Sequence, residues 1–315
     1  MERHGSGPLS ATRLTSGLRL PLSMADFSRR GFRTDSPEQR AILEGHARNF
    51  LAGFNLAVSR WRDPHGALAT IPDEERGFAY EGAGMFAGLL DLGTAGRARA
   101  LSRLLAGPGD GYAHLVHVGA GWLFTVARVS AVVRLPRTPL LRWLAIDGSG
   151  FGEAYFGGVR ALLRRAHRTP SPVWQARLAG CGRALWFIES GRPDGVADVI
   201  GRTPPDARPH LWCGAGLAAA YAGAVDDTGR ERLAELAGEH RTHLLQGVVF
   251  AAGARVRAGI VPAHTRSACA QLIGVSAEEA AGWTDETSAD LTATSDVHAY
   301  LEWKARLRNR IASRL

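Results

Sequence analysis

RGFAYEGAGMFAGLL, residues 76–90, contains the pattern that decides the fold: a Gly-x-Gly pair followed by an apolar, aromatic run. The pair occurs five times, at Gly82/Gly84, Gly119/Gly121, Gly148/Gly150, Gly180/Gly182 and Gly214/Gly216. The first glycines of successive pairs are 37, 29, 32 and 34 residues apart, and a degraded sixth copy follows at Gly247. This spacing is typical of helical-hairpin repeats, in which each unit contributes two helices and a turn.

The segments between the glycine pairs also favour helices. Arg, Ala and Leu recur with helical spacing at 97–105, 159–168 and 230–236, and Pro/Gly/Asp clusters such as 107–111 predict turns. Strand signals are weak throughout. The sequence therefore predicts an all-α protein of helical-hairpin repeats of about 33 residues, packed into one solenoid-like or toroidal domain. We place that domain at 36–315, after a partly ordered N-terminal arm at 1–35.

The glycine pairs have two interpretations. Small residues inside a helix allow a neighbouring helix to approach closely, which is a packing role. The strings GAGMFA (82–87) and GAGLAA (214–219) also match the dinucleotide-binding pattern G-x-G-x-x-A. Neither follows a β-branched strand run or opens a strand-helix-strand unit, so we favour packing and expect no nucleotide cofactor.

Composition narrows the class of protein. The chain has 315 residues with 45% hydrophobic residues, which is too apolar for general disorder. Three cysteines cannot form a disulfide framework and suit a reducing compartment, so we expect a cytoplasmic protein. The longest apolar stretches, 211–225 and 115–133, are too short or carry charge, and no membrane span is predicted. The N-terminus lacks a signal-peptide core, and Met24 is an alternative start to Met1.

The basic residues are unusual in kind and position. Of 38 Lys and Arg, only Lys304 is lysine, and the net charge is +8. Ten arginines and two acids lie between Arg128 and Arg183. This Arg-rich segment favours an anionic partner such as an acyl carrier protein with its phosphopantetheine arm, or it is simply a solvated face. No recognition helix accompanies it, so nucleic acid is not expected. The predicted docking residues are Arg134, Arg137, Arg142, Arg164 and Arg165.

Polar residues beside the glycine pairs are the candidates for chemistry. Glu81 and Asp147 each lie one position before a first glycine, while His117 and Trp212 lie two before. If the units stack, equivalent positions line one surface, where carboxylates and His could transfer protons within an apolar pocket. The predicted catalytic residues are Glu81, His117, Asp147 and Glu153, and the predicted substrate-binding residues are Tyr80, Trp122, Tyr155, Trp212 and His264. The alternative is that the acids cap helix N-termini.

Metal and cofactor signals are weak. His114/His117 and His240/His243 have a spacing of i, i+3, but no third ligand accompanies either pair, so we predict no metal site. The sequence contains no phosphate-binding loop and no nucleophile elbow. We therefore expect no bound cofactor.

Several blocks resemble an actinobacterial enediyne-cassette family of unknown function, the UnbL-like proteins. The matching segments are FSRRGF (27–32), RGFAYEGAGM (76–85), HVGAGW (117–122), IDGSGFGEAYF (146–156), GRALWFIES (182–190), LWCGAGLAAAYAGA (211–224), QGVVFAAGARVRAG (246–259) and HTRSACAQLIGVSAEEA (264–280). The resemblance implies a role beside an iterative polyketide synthase, in converting a linear polyene into an enediyne core. In the block at 146–156, the resemblance implies a His directly before the Glu, where this chain has Gly152.

Two function hypotheses follow. The first is an accessory biosynthetic enzyme that acts on a hydrophobic polyene by acid/base chemistry, as an isomerase, cyclase or lyase without a redox cofactor. The second is a non-catalytic helical scaffold or chaperone that binds the polyene, an acyl carrier protein or other cassette proteins. A closed apolar cavity lined by carboxylates favours catalysis, whereas a filled core with an open basic groove favours a scaffold.

Overall fold

The computed structural model describes residues 17–126, 136 and 138–315. Helices and their connections make up this part of the chain, and none of its residues forms a strand, which confirms the predicted all-α class. The α-helices are α1 (Phe27–Arg30), α2 (Pro37–Arg60), α3 (His65–Leu68), α4 (Arg76–Gly93), α5 (Ala100–Leu104), α6 (Ala113–Val126), α7 (Leu144–Ala166), α8 (Pro172–Ile188), α9 (Pro193–Gly201), α10 (Arg208–Ala222), α11 (Asp227–Ala237), α12 (Arg241–Arg257), α13 (Ala263–Ile273), α14 (Ala277–Ser288) and α15 (Val297–Ala312).

Local sequence signals explain where several helices begin. Pro172 occupies the first turn of α8, and the Ser171 hydroxyl accepts a hydrogen bond from the Trp174 N–H at 3.1 Å. Asp226 and Ser276 cap α11 and α14 in the same way. These caps satisfy N–H groups that lack partners within the helix, so the helix starts are decided by a few neighbouring residues.

Seven helices pack side by side in chain order and form what we call the helix row: α2, α4, α6, α7, α8, α10 and α12. The glycine pairs make these contacts, the first glycine facing the preceding helix and the second facing the next. Gly119 lies against the backbone of Glu81 in α4, and Gly121 lies against that of Ala145 in α7. A Cβ at either position would come within 1.9 Å of a carbonyl oxygen. Glycine is therefore required by the close approach of the helix backbones.

The remaining helices and the N-terminal residues cover this row. Helices α9, α11 and α13 pack against one another outside it, and α14 and α15 pack on α12. Part of the predicted N-terminal arm lies on the body, because Phe27 is fully buried and the Arg33 N–H donates to the Ile188 carbonyl at 2.9 Å. No described helix is both long enough and apolar enough to cross a membrane. The solenoid or ring of 33-residue units stays a prediction.

The glycine contacts give a stability prediction. Gly148→Ala is expected to lower the free energy of unfolding by at least about 2 kcal/mol, because its Cβ would lie 1.9 Å from the rigid Val118 carbonyl oxygen. Gly45→Ala is the matched control, since it is also within a helix but has no atom within 4 Å of the added Cβ. That control should gain about 0.5–1 kcal/mol from helix propensity. Urea unfolding measures both, and equal stabilities would contradict the packing role.

Candidate functional site

A cavity lies inside the helix row, and all seven helices of the row line it. The residues immediately before and after each of the five glycine pairs face it. They are Glu81 and Met85, Val118 and Trp122, Asp147 and Phe151, Ala179 and Arg183, and Cys213 and Leu217. The two positions of each set are four residues apart, which is about one helical turn. The glycines thus hold neighbouring helices together while their flanking residues point inwards.

The cavity is narrow and mostly apolar. The empty space between its lining atoms is about 1360 Å³ with the opening included, yet only about 120 Å³ of it is wide enough for the centre of a water molecule. Its lining includes the N-terminal residues Leu20, Met24 and Arg30 together with Phe156, which is 42% exposed. Residues of α15 line it as well. Such a space fits a slim, flat, apolar molecule better than a bulky polar one.

Glu81 is the acid buried in this cavity. It is only 4% exposed, and its Oε1 accepts a hydrogen bond from the Trp122 indole N–H at 3.0 Å. Burial raises the pKa of Glu81 to about 7, although the Arg183 guanidinium and the Trp122 N–H act in the opposite direction. Close to neutral pH, the carboxyl is therefore divided between its protonated and ionised forms. A group in this state can both donate and accept a proton.

A buried ion pair stands beside this acid. Asp147 Oδ1 accepts hydrogen bonds from Arg183 Nε at 2.8 Å and from Arg183 Nη2 at 2.5 Å, and both side chains are buried. Burial lowers the pKa of the Arg183 guanidinium, but the carboxyls of Asp147 and Glu81 outweigh that effect and raise it overall. Arg183 therefore stays charged and holds Asp147 in place. Its guanidinium also lies 4.9 Å from the centre of the Phe151 ring.

Aromatic rings form much of the remaining lining. Trp122 packs against Phe50 at 4.5 Å and against Phe151 at 4.9 Å between ring centres. Tyr155 follows at 5.6 Å from Trp122, and the Arg30 guanidinium lies 4.5 Å above the Tyr155 ring. Burial raises the pKa of Tyr155 to about 12, so its hydroxyl stays protonated. Aromatic faces carry partial negative charge and can stabilise a cation in such a space.

His114 also lines the cavity, although its spacing suggested only a weak metal site. Burial, with help from the nearby Arg257, lowers the pKa of His114 to about 4, so the imidazole is neutral at pH 7. Its Nδ1 is buried without a hydrogen-bond partner among the described residues. Within the part of the chain that the structure describes, no group of three or more His, Cys, Asp or Glu side chains could hold a metal.

The predicted residues two positions before a glycine pair lie behind the cavity lining. Tyr80 stacks on Tyr112 at 4.2 Å and hydrogen-bonds His65 Nδ1 at 2.9 Å. His117 hydrogen-bonds the Ala113 carbonyl through Nδ1 at 2.6 Å, and Trp212 is buried. A helix turns by about 100° for each residue, and on these helices that turn carries the residue before Glu81, Val118 or Cys213 out of the lining. The predicted surface therefore separates into a cavity face with Glu81 and Asp147 and a packing face.

Two further predicted residues lie apart from the cavity. Glu153 accepts two hydrogen bonds from the Arg165 guanidinium, from Nε at 2.9 Å and from Nη2 at 3.0 Å. His264 Nε2 contacts the Tyr221 carbonyl oxygen at 3.1 Å, beside Gly223. At Gly152, an added Cβ would meet Thr125 Oγ1 at 3.2 Å, so a histidine there would first have to displace its α6 neighbour.

The predicted docking arginines have unequal environments. Arg164 is exposed and forms no ion pair within the described residues, whereas Arg165 is occupied by Glu153. Arg142 is partly buried, and its Nε has no partner in the described structure. Arg134 and Arg137 lie outside the described residues. Arg183, the last arginine of this segment, belongs to the cavity.

The indole hydrogen bond gives a prediction about the acid. Trp122→Phe removes the donor to Glu81 Oε1, and the pKa of Glu81 should rise further above 7 because the ionised form loses its partner. Infrared titration of the protonated carboxyl band, with Glu81→Gln as the blank, measures this shift. Trp143→Phe is the control, since its indole N–H donates to the Ser295 carbonyl outside the cavity. An unchanged or lower pKa in Trp122→Phe would contradict the interpretation.

Fold and site together define an all-α protein whose helix row surrounds an apolar cavity with a buried acid and a buried ion pair. The chain matches the family described as protein of unknown function (DUF1702) over residues 13–311, and it belongs to this family. No curated protein matches the chain. No solved structure matches it either.

Proposed function

We propose that this protein is an accessory biosynthetic enzyme that moves protons on an apolar, polyene-derived substrate held in the cavity. The observation that carries the proposal is Glu81, a carboxyl buried in an apolar and aromatic space with its pKa near 7. General acids and bases work best when their pKa lies near the working pH. A structural carboxylate is more typically paired with a cation, as Asp147 is with Arg183.

The chemistry that this arrangement supports is a redox-neutral shift of double bonds. Glu81 gives its proton to one alkene carbon, which forms a C–H bond and leaves a carbocation on the neighbouring carbon. The resulting carboxylate then takes a proton from an adjacent carbon, whose C–H electrons form the new double bond. Ring closure results when another double bond attacks the cation first. Atoms and charge balance in either route, and Glu81 ends protonated.

The other lining residues assist this step. The Trp122 ring, which lines the cavity, stabilises positive charge on the substrate. Asp147 neutralises Arg183, so the guanidinium does not repel a cation as a free charge would. The narrow cavity excludes bulk water, which would otherwise capture the cation. The resemblance to enediyne-cassette proteins supports a polyketide polyene as substrate, and three buried free cysteines support a reducing, cytoplasmic location.

The test uses deuterium. A graded series of linear conjugated polyenes is incubated with the protein in D₂O, and mass spectrometry counts deuterium bound to carbon in the recovered polyene. Under the proposal, a bound polyene gains deuterium because the Glu81 carboxyl exchanges its proton with solvent. Binding of a polyene without any deuterium gain or rearrangement would overturn the enzymatic function.

That second outcome would favour the scaffold hypothesis. The exposed Arg160 and Arg164 on α7 support it, because neither has a carboxylate partner within the described residues and both could meet an acidic carrier protein. A scaffold needs the cavity only for holding the polyene. The two functions therefore differ in the fate of the carbon-bound hydrogens and not in affinity.

A further inference from the structure

A second concave surface lies at the end of the molecule formed by α15. This groove is bounded by Gln175 of α8, His210 of α10, Leu291, and His298, Lys304 and Arg308 of α15. About 610 Å³ of it is wide enough for the centre of a water molecule, far more than in the cavity. The groove therefore has room for a hydrated polar group.

The groove contains a lysine ammonium without a counter-ion among the described residues. Lys304 is only 4% exposed, and its ammonium makes no hydrogen bond or ion pair with any described residue. The Tyr300 ring centre lies 5.6 Å from Nζ and supplies only a weak cation–π contact. The side-chain stem is buried, while the ammonium is not among the fully buried nitrogens and opens to the groove. An ammonium in this position is therefore suited to meet a negative charge that comes from outside the chain.

The other charged groups of the groove also leave its positive charge without a counter-ion. Arg308 donates through Nη1 to the Gln246 side-chain oxygen at 3.1 Å and has no carboxylate partner in the described structure. Glu302 is the one acid that lines the groove, and Arg306 binds it at 2.9 Å. The local field is thus positive. A phosphate is well matched to an arginine fork and a lysine ammonium.

The pKa values of two nearby histidines reflect the same positive charge. Burial, with Lys304 as the next cause, lowers the pKa of His210 to about 3. Burial, with Arg308 as the next cause, lowers the pKa of His243 to about 4. The His243 Nδ1 is buried without a hydrogen-bond partner among the described residues. Both imidazoles are neutral at pH 7, and His210, which lines the groove, can donate one hydrogen bond to an oxyanion.

Two buried arginines elsewhere in the described chain have partners within it. Arg183 binds Asp147, and Arg255 donates to the Glu74 and Tyr221 carbonyls at 2.7 Å each. Lys304 also lines the cavity, so its side chain borders both spaces.

We propose that the groove binds the phosphate-class head group of a ligand whose apolar part lies in the cavity, with Lys304 and Arg308 as the principal contacts. This inference rests on the proposed function only in placing the apolar part in the cavity, and it does not need the proton-transfer step. It assigns to the substrate an anionic end. The polyene would then be held in one direction, with its head at α15 and its tail towards the N-terminal residues.

The experiment is calorimetric titration of the full chain with octyl phosphate, inorganic phosphate and 1-octanol. Octyl phosphate should bind at least tenfold more tightly than either of the others, because only it has both parts. Lys304→Gln and Arg308→Gln should each weaken its binding at least tenfold. Arg310→Gln is the matched control on the same helix, since this arginine is half exposed and lies over Trp283. It should leave the affinity unchanged.

Each other result counts against the inference. Equal affinity for octyl phosphate and 1-octanol, or unchanged binding in both groove variants, would overturn the anion site. Equal affinity for octyl phosphate and inorganic phosphate would overturn the shared ligand. Glu81→Gln separates this inference from the proposed function, because it should keep octyl phosphate binding while losing deuterium transfer. Circular dichroism establishes that each variant is folded before its affinity is compared.

Discussion

Glu81→Gln is expected to slow deuterium transfer to a bound polyene by a factor of about 10² to 10⁴, the usual contribution of a general acid–base group. Glutamine keeps the shape of the protonated carboxyl and can still accept the Trp122 indole N–H, so binding should change little. The matched control is Glu153→Gln, which removes a carboxylate that is paired with Arg165 outside the cavity. If both variants transfer deuterium at the wild-type rate, Glu81 is not the acid.

Glu81→Gln should also change how the stability of the protein depends on pH, which can be measured without a substrate. The ordinary pKa of the carboxyl is 4.5, and in the folded protein it is about 7. Between these values the folded state keeps the proton and the unfolded state releases it. The stability of the wild type therefore falls as the pH rises from 4.5 towards 7, and levels off above. The full effect is on the order of 3 kcal/mol.

Glu81→Gln removes this contribution because glutamine does not titrate. The variant should match the wild type near pH 4 and become the more stable protein by pH 8. Thermal unfolding of both proteins across that range measures the difference, in which the other titrating groups largely cancel. A constant difference from pH 4 to pH 8 would mean that the carboxyl is already ionised in the folded state, and would remove the basis of the proposed function.

Arg183→Met should be the most destabilising single change at the site. It leaves the Asp147 carboxylate buried without its partner, and breaking such a pair typically costs about 3–5 kcal/mol. Asp147→Leu leaves the Arg183 guanidinium buried without its partner in the same way. Urea unfolding measures both losses. Arg165→Met breaks a similar two-point Arg–Glu pair that is about one-quarter exposed, and it should cost at most about 1 kcal/mol.

The double variant tests whether the loss comes from the unpaired charge. Asp147→Leu combined with Arg183→Met replaces both ions by apolar groups and should recover most of the stability lost in either single variant. Additive losses in the double variant would show instead that the two side chains act independently. A loss below about 1 kcal/mol in Arg183→Met would show that Asp147 does not depend on the pair.

Much of the fold could be predicted because its causes are local. Helix caps, proline positions and 3.6-residue periodicity involve residues a few positions apart, so the all-α class follows from the chain itself. The glycine pairs also gave the helix contacts in outline. Glu81 and Asp147 were found because they share one register position, directly before a pair, and a repeated position predicts a shared surface.

The sequence alone did not determine which helix face became the cavity. Tyr80, His117 and Trp212 are as polar or aromatic as the lining residues, and only the packing of the helix row turned them away. Arg183 follows a glycine pair directly, so the register position that it shares with Trp122 and Phe151 could have placed it in the cavity. The concentration of arginines before it in the sequence favoured an exposed docking surface instead.

The protonation states and partnerships were decided by tertiary structure. Arg183 reaches Asp147 across 36 positions, and Glu153 is neutralised by Arg165 from the other side of a kink at Gly158. Lys304 comes from the C-terminal helix to a cavity built mainly by residues 46–254. A pKa depends on desolvation and on charges a few ångströms away, and both quantities exist only after distant segments have packed. The sequence by itself determined the helices and the register position that Glu81 and Asp147 share, whereas packing determined which helix face lines the cavity and raised the pKa of Glu81.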